Sequence, residues 1–179
     1  FTYKLILGDD GKIASWGRDP QGNEVVSRDL DAIPILDKFV EEHPDHTVIS
    51  YVNTTAATKA HTDVVVTSSN ARQIVESFPK DEKIIFGPDQ NLGGYINSIT
   101  GRSMLLWNGA CHVHEKFSLE KILQLKQEHP GAKILAHPEC KGPVVRVADK
   151  VGSTAALLKF SISDPATEFT VATESGILH

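Results

Sequence analysis

The stretch Trp107-Asn108-Gly109-Ala110-Cys111-His112-Val113-His114-Glu115 gathers a thiol, two imidazoles and a carboxylate within one short segment. These groups ligate metals and carry nucleophilic and acid–base chemistry. His112 and His114, two residues apart, face the same way if the chain is extended there, as metal-binding His pairs do. Cys111 equally suits a small buried filler, because free Cys is among the most buried residue types. His137 and Glu139 flank Pro138, which holds His137 out of helical geometry. They suit a base and an acid, metal ligands, or a capping loop in which Glu139 satisfies backbone donors. Tyr51 and Asn53 have the same spacing, with a buried, satisfied Tyr as the structural alternative. Thr67-Ser68-Ser69-Asn70-Ala71 and Gly152-Ser153-Thr154-Ala155 each lead into a helical pattern. Their hydroxyls cap a helix or, with the orphan backbone N–H groups, bind a carboxylate or phosphate. Cys140 has no partner pattern and reads as structural.

These residues sit at matching places in a segment that occurs twice. Residues 42–54 begin Glu-His-Pro and so do residues 128–140, an offset of 86 (128 − 42). The offset carries Tyr51 onto His137, Asn53 onto Glu139, Asp63 onto Asp149, Thr67 onto Ser153 and Ser68 onto Thr154. After a one-residue slip it carries 87–89 onto 172–174. A register this long marks a duplication, and repeats of this kind govern the fold. Within one copy, Leu119, Ile122, Leu123 and Leu125 recur at helical spacing behind the N-cap Ser118, and Pro130-Gly131 stop the helix. Lys133-Ile134-Leu135-Ala136 then has the pattern of a strand buried on both faces of a parallel sheet. Ligands of such sheets gather at the carboxyl ends of the strands. Those ends are Tyr51-Val52-Asn53 and His137-Pro138-Glu139, so two matching polar tips aim at one shared site.

The spacing predicts helix 33–43, strand 47–52, helix 55–62, strand 64–67, helix 69–78, strand 83–87, helix 91–98 and strand 103–107. The second copy repeats this as far as strand 169–172. The fold class is α/β: two repeated αβα three-layer units with short parallel sheets, the second incomplete. The expected units are 30–112 and 113–179. Residues 1–29 read as a β-hairpin segment, with Tyr3–Leu7 and Lys12–Trp16 joined by the Gly- and Asp-rich turn 8–11, and a second turn at 19–23. A net charge of −5 without any Lys/Arg run argues against a nucleic-acid face. No apolar run approaches the ~20 residues of a membrane span, and no signal peptide is visible. Two cysteines in unlike contexts argue against a disulfide framework and for a reducing cytoplasm. The start at Phe1 and the stop at His179, just past a strand tip, suggest a piece of a longer polypeptide.

Several stretches together resemble quinolinate synthases: 51–57, 66–70, Ile84-Ile85-Phe86-Gly87-Pro88-Asp89-Gln90-Asn91-Leu92-Gly93, Gly109–Glu115, Leu135–Cys140, Val151–Thr154 and Thr173–His179. They cover roughly residues 30–179 in the family's order and spacing. The resemblance implies three similar αβα domains about a pseudo-threefold axis. It also implies a transferase-type condensation of iminoaspartate with dihydroxyacetone phosphate to quinolinate, in NAD biosynthesis, with a functional link to L-aspartate oxidase. A 4Fe–4S cluster is implied, held by one Cys per domain, with one iron open as a Lewis acid. By resemblance Cys111 is a cluster ligand, Tyr51, His137 and Glu139 are catalytic, and Asn53, Ser68, Ser153, Thr154 and His114 bind substrate.

Two departures stand out. One period before Cys111 the chain has Val25 (111 − 86), and one period after lies past His179. The family's N-terminal domain motifs are missing as well, and residues 1–23 match none of its patterns. With one of three cluster thiolates, the chain by itself is expected to be inactive. Two alternatives stand beside this reading. One is a non-catalytic remnant binding a dicarboxylate or phosphate through Ser68 and Thr154. The other is a metal-dependent hydrolase using His112, His114 and His137, for which a barrel of ~250 residues would be usual.

Overall fold

Short runs of Val, Ile and Leu become strands with both faces covered. Residues Ile84–Gly87 are all buried, as are Ile134, Leu135 and Ala136 in Lys133–Ala136. The computed structural model describes residues 39–178 except Thr55, together with the backbone of three earlier strands. Those strands, β1 (Lys4–Leu7), β2 (Ile13–Arg18) and β3 (Glu24–Arg28), form an antiparallel meander pairing Lys4 with Trp16 and Trp16 with Val26. The expected hairpin and the strand after its second turn are both present, while the turns at 8–11 and 19–23 lie outside the described residues. So do positions 33–38 of the first expected helix; residues 39–41 are helical.

The first parallel sheet holds β4 (Thr47–Tyr51), β5 (Val64–Val66), β6 (Ile84–Gly87) and β7 (Leu105–Leu106) in the order β5-β4-β6-β7. Helices α1 (Ala56–Ala60), α2 (Ala71–Ser77) and α3 (Gln90–Thr100) connect them. Ile49, Val66, Val75, Phe86, Leu92 and Ile96 make its core. In the second unit, α4 (Leu119–Glu128) leads to β8 (Lys133–Ala136), α5 (Gly142–Val147), β9 (Lys150–Val151), α6 (Thr154–Ser163) and β10 (Phe169–Ala172). That parallel sheet runs β9-β8-β10 over Ile122, Ile134, Val144, Cys140 and Ala172.

The duplication is visible bond by bond. Asp63 accepts the Val48 N–H at 2.8 Å through its carboxylate, and Asp149, 86 residues on, accepts the Ile134 N–H at 2.8 Å. Ile49 pairs with Val64 as Leu135 pairs with Lys150. Thr47 opposite Ile84 becomes Lys133 opposite Phe169, the second partner displaced by 85, so the one-residue slip is real in three dimensions.

Element ends follow local capping. Asp89 accepts from Leu92 N at 2.7 Å and starts α3 one residue early, and Gly101, at φ 69°, closes it with its N–H on Asn97 O. Ser118 caps α4 by accepting from Lys121 N at 3.1 Å. The expected helix 69–78 begins only at Ala71 because Asn70 Oδ1 turns back to accept the Thr67 N–H and hydroxyl.

Candidate functional site

β4 and β8 are the central strands of their sheets, and the chain leaving each carboxyl end turns at once into polar residues. A cleft of about 510 Å³ lies between the two tips. Tyr51, Asn53 and Ser68 border it from the first unit, and His137, Glu139, Ser153 and Thr154 from the second. Cys111, His112 and His114 border it from the connecting segment, which also edges an adjoining hollow of about 290 Å³. Tyr51, Asn53, Ser68, Cys111, His112, His114, His137, Glu139, Ser153 and Thr154 thus border one region, and Glu115 and Cys140 do not. Cys140 is turned into the second core, where its thiol donates to Ala172 O at 3.3 Å and burial pushes its pKa up to about 12.

The connecting segment is not extended, so His112 and His114 do not pair. Cys111 O accepts the Glu115 N–H, a 3-10 turn follows at His114–Lys116, and His112 is exposed while His114 is buried. His114 Nδ1 lies 2.9 Å from a Glu139 carboxylate oxygen, but off the direction of a hydrogen bond, so the contact is ionic and Nδ1 has no aligned partner. Its Nε2 is 3.3 Å from Thr173 Oγ1, and its ring stacks on His137 with centroids 4.5 Å apart. His137 Nδ1 accepts the Glu139 backbone N–H at 3.3 Å, which leaves the proton of the neutral ring on Nε2.

The two stacked imidazoles are driven apart electrostatically. Burial holds His137 down at about 4, despite the neighbouring Glu139 charge. Burial also opposes charging His114, but Cys111 and Glu139 beside it outweigh that and push it up to about 9. Glu139 is likewise lowered: burial alone would raise it, and the imidazoles of His114 and His137 prevail. Near neutrality the site therefore holds one imidazolium, one neutral imidazole and one carboxylate. This is the kind of divergence that separates acid from base roles.

Tyr51 donates to Ser68 Oγ across 3.5 Å. Ser153 caps α6 by accepting from Ala156 N at 3.4 Å, so the capping and anion-binding readings of these hydroxyls meet at one helix end.

Two residues escaped the sequence reading. Asp89, buried, accepts from Cys111 N at 2.6 Å while capping α3, and so ties the Cys111 loop to the first unit. Burial raises it to about 6. Its place just before a helical pattern was a capping signal. Thr173, beside His114, carried no local signal. Gly109 permits the tight approach of this loop, since a Cβ there would stand 2.4 Å from Pro88 O. Glu115 accepts from Asn91 of the first unit at 3.1 Å and pairs with Lys141 of the second at 2.9 Å.

Comparison with known proteins assigns the chain to a family. The family described as "Quinolinate synthetase A protein" matches residues 29–179. The chain is similar to the quinolinate synthase of Chloroherpeton thalassium, 54% identical over 141 residues, covering 79% of this chain and 44% of that protein. It is similar to that of Synechocystis sp., 54% identical over 142 residues and covering 79% and 45%. For that of Nostoc punctiforme the figures are 55% over 141 residues, 79% and 44%. The chain spans somewhat under half the length of these relatives.

Proposed function

Because the chain belongs to the quinolinate synthase family, we propose that it carries the two-unit face of that enzyme's active site. The reaction is the condensation of iminoaspartate with dihydroxyacetone phosphate to quinolinate, in NAD biosynthesis beside an L-aspartate oxidase. The observation that carries this reading is the convergence of the Tyr51 and His137 strand tips on one cleft bordered by Cys111. Units 30–112 and 113–179 are the domains, and a cytoplasmic setting goes with the free thiols. Among the described residues no helix is long and apolar enough to cross a membrane.

The roles follow from chemistry. His137, neutral at working pH, has Nε2–H to give to a developing oxyanion or leaving hydroxyl. Glu139 stays ionised beside His114 and is the base for a proton α to a carbonyl or imine. Tyr51, leaning on Ser68, orients substrate with Asn53. Ser153, Thr154 and the start of α6 take a substrate carboxylate or phosphate, with Ser68 opposite. His114, cationic, offsets the negative charge of such substrates.

A 4Fe–4S cluster requires several thiolates. This chain brings one, Cys111, to the cleft, while Cys140 faces the core. The donor set does not complete a cluster, and none of the steps above passes through one.

The test is a chimera in which residues 30–179 replace the matching portion of the Chloroherpeton relative, assayed for quinolinate under anaerobic conditions. The chimera should form quinolinate, and Tyr51→Phe or Glu139→Gln should cut its turnover by about 10²–10⁴-fold. A folded, cluster-loaded chimera that makes none, or that is indifferent to both changes, overturns the proposal.

A further inference from the structure

The segment between the two sheets is tied to the first by Gln90 N–H, which donates to Gly109 O at 2.8 Å, and by Asp89, which accepts the Cys111 N–H at 2.6 Å. Towards the second sheet, His114 meets Glu139 inside the cleft, and Glu115 meets Lys141 outside its lining. The Glu115 carboxylate is engaged on both oxygens. Oε1 accepts from Asn91 Nδ2 at 3.1 Å, and Oε2 lies 2.9 Å from Lys141 Nζ. Asn91 belongs to the first turn of α3, and Lys141 is the residue just before α5. One carboxylate thus spans the starts of two helices, one from each sheet.

We propose that Glu115 is a positioning residue for the condensation, an inference that rests on the reading of the cleft given above. By clamping Asn91 to Lys141 it sets the separation at which the Tyr51 and His137 tips face each other. The linkage to the site is short on both sides. Asn91 lies two residues after Asp89, which holds the Cys111 loop, and Lys141 lies two residues after Glu139, which borders the cleft. Reacting groups tolerate little displacement, a shift of about 1 Å costing on the order of 10²-fold in rate.

Stability is not what this bridge supplies. The Glu115 and Lys141 side chains are 35% and 48% exposed, and ion pairs so placed contribute little to it. What two engaged oxygens do supply is a fixed geometry between the groups on either side. Nor does the duplication supply the bridge. One period before Lys141 stands Thr55 (141 − 86), and the slipped period carries Asn91 onto Gly176 (91 + 85). Asp63 and Asp149, which do repeat, hold strands within each sheet. Asn91 and Lys141 have no such counterpart, as suits groups that serve the junction and neither sheet alone.

The test has two arms, with circular dichroism reporting the fold of every variant. In the first, residual dipolar couplings are measured for amides of both sheets in the 179-residue chain. One alignment tensor should fit both sheets in the unaltered chain, while Glu115→Ala and Lys141→Met should each require separate tensors. The exchanged pair, Glu115→Lys with Lys141→Glu, should return to one tensor, the Asn91 amide then turning its oxygen to the lysine. In the second arm the chimera is assayed. Both single variants should lose about tenfold or more in kcat with KM for either substrate within about twofold, and the exchanged pair should recover most of the loss. A common tensor in the single variants overturns the proposal whatever the chimera does. So does an active chimera whose single variants keep full kcat, or whose loss the exchanged pair fails to recover. An unaltered chimera that makes no quinolinate strikes the functional reading instead, and the tensors alone then decide on the clamp.

Discussion

His114 and His137 are in face-to-face contact and yet hold protons oppositely, because only His114 has the Cys111 thiol and the Glu139 carboxylate close enough to outweigh its burial. The consequence for stability has a definite sign. The folded-state pKa of His137 is depressed to about 4 from its ordinary 6.5, so the unfolded chain takes up that proton first on acidification. Stability should fall as pH drops from about 6.5 to about 4, by on the order of 3 kcal/mol. His114 is raised to about 9, so its contribution is whole below 6.5 and is lost as pH rises through 9. Imidazole NMR titration should find His137 neutral and His114 protonated at pH 7. Thermal melts of His137→Gln should lose part of the acid-side decline. A His137 resonance titrating near 6.5 would contradict the assignment.

At the scale of elements, the same carboxylate staple is used twice. Asp63 and Asp149 each bind the amide of the second residue of the central strand, through Val48 N and Ile134 N, and each returns its own N–H to the carbonyl of that residue. Removing either leaves a partly buried amide without its partner, which costs about 1–3 kcal/mol. Asp63→Ala and Asp149→Ala should therefore destabilise by similar amounts in urea melts. A large inequality would mean that the two copies, alike in register, differ in what holds their central strands. The periodicity of α4 and β8 was readable residue by residue, and the helix at 119–128 and strand at 133–136 follow it. The ends were less so: α1 covers only Ala56–Ala60 and β7 only Leu105–Leu106, inside the longer expected spans 55–62 and 103–107. Asn70 folding back onto Thr67 competes with the first turn of α2, and periodicity does not register such side-chain competition.

At the scale of the molecule, the units meet through the connecting segment rather than through a shared sheet. Asp89 holds Cys111 on one side, and Asn91, Glu115 and Lys141 form a bridge from α3 to the start of α5. The cleft therefore exists only where both tips and this segment come together. With one thiolate facing it, anaerobic reconstitution of the 179-residue chain with iron and sulfide should give no stoichiometric four-iron cluster, and no quinolinate should form. A stable cluster, seen by its visible absorption and by iron and sulfide analysis, would refute this.

The sequence by itself determined the duplication, the buried parallel strands, the polar tips at Tyr51 and His137, and the family, because spacing and residue type are local and repeat along the chain. Only the tertiary structure decided that His114 leaves His112 for Glu139 and Thr173, that Asp89 anchors Cys111, and that Cys140 faces the core. Each of these joins segments with no common period. Their contacts are fixed by how segments distant along the chain pack together, and that information is not written in any one stretch.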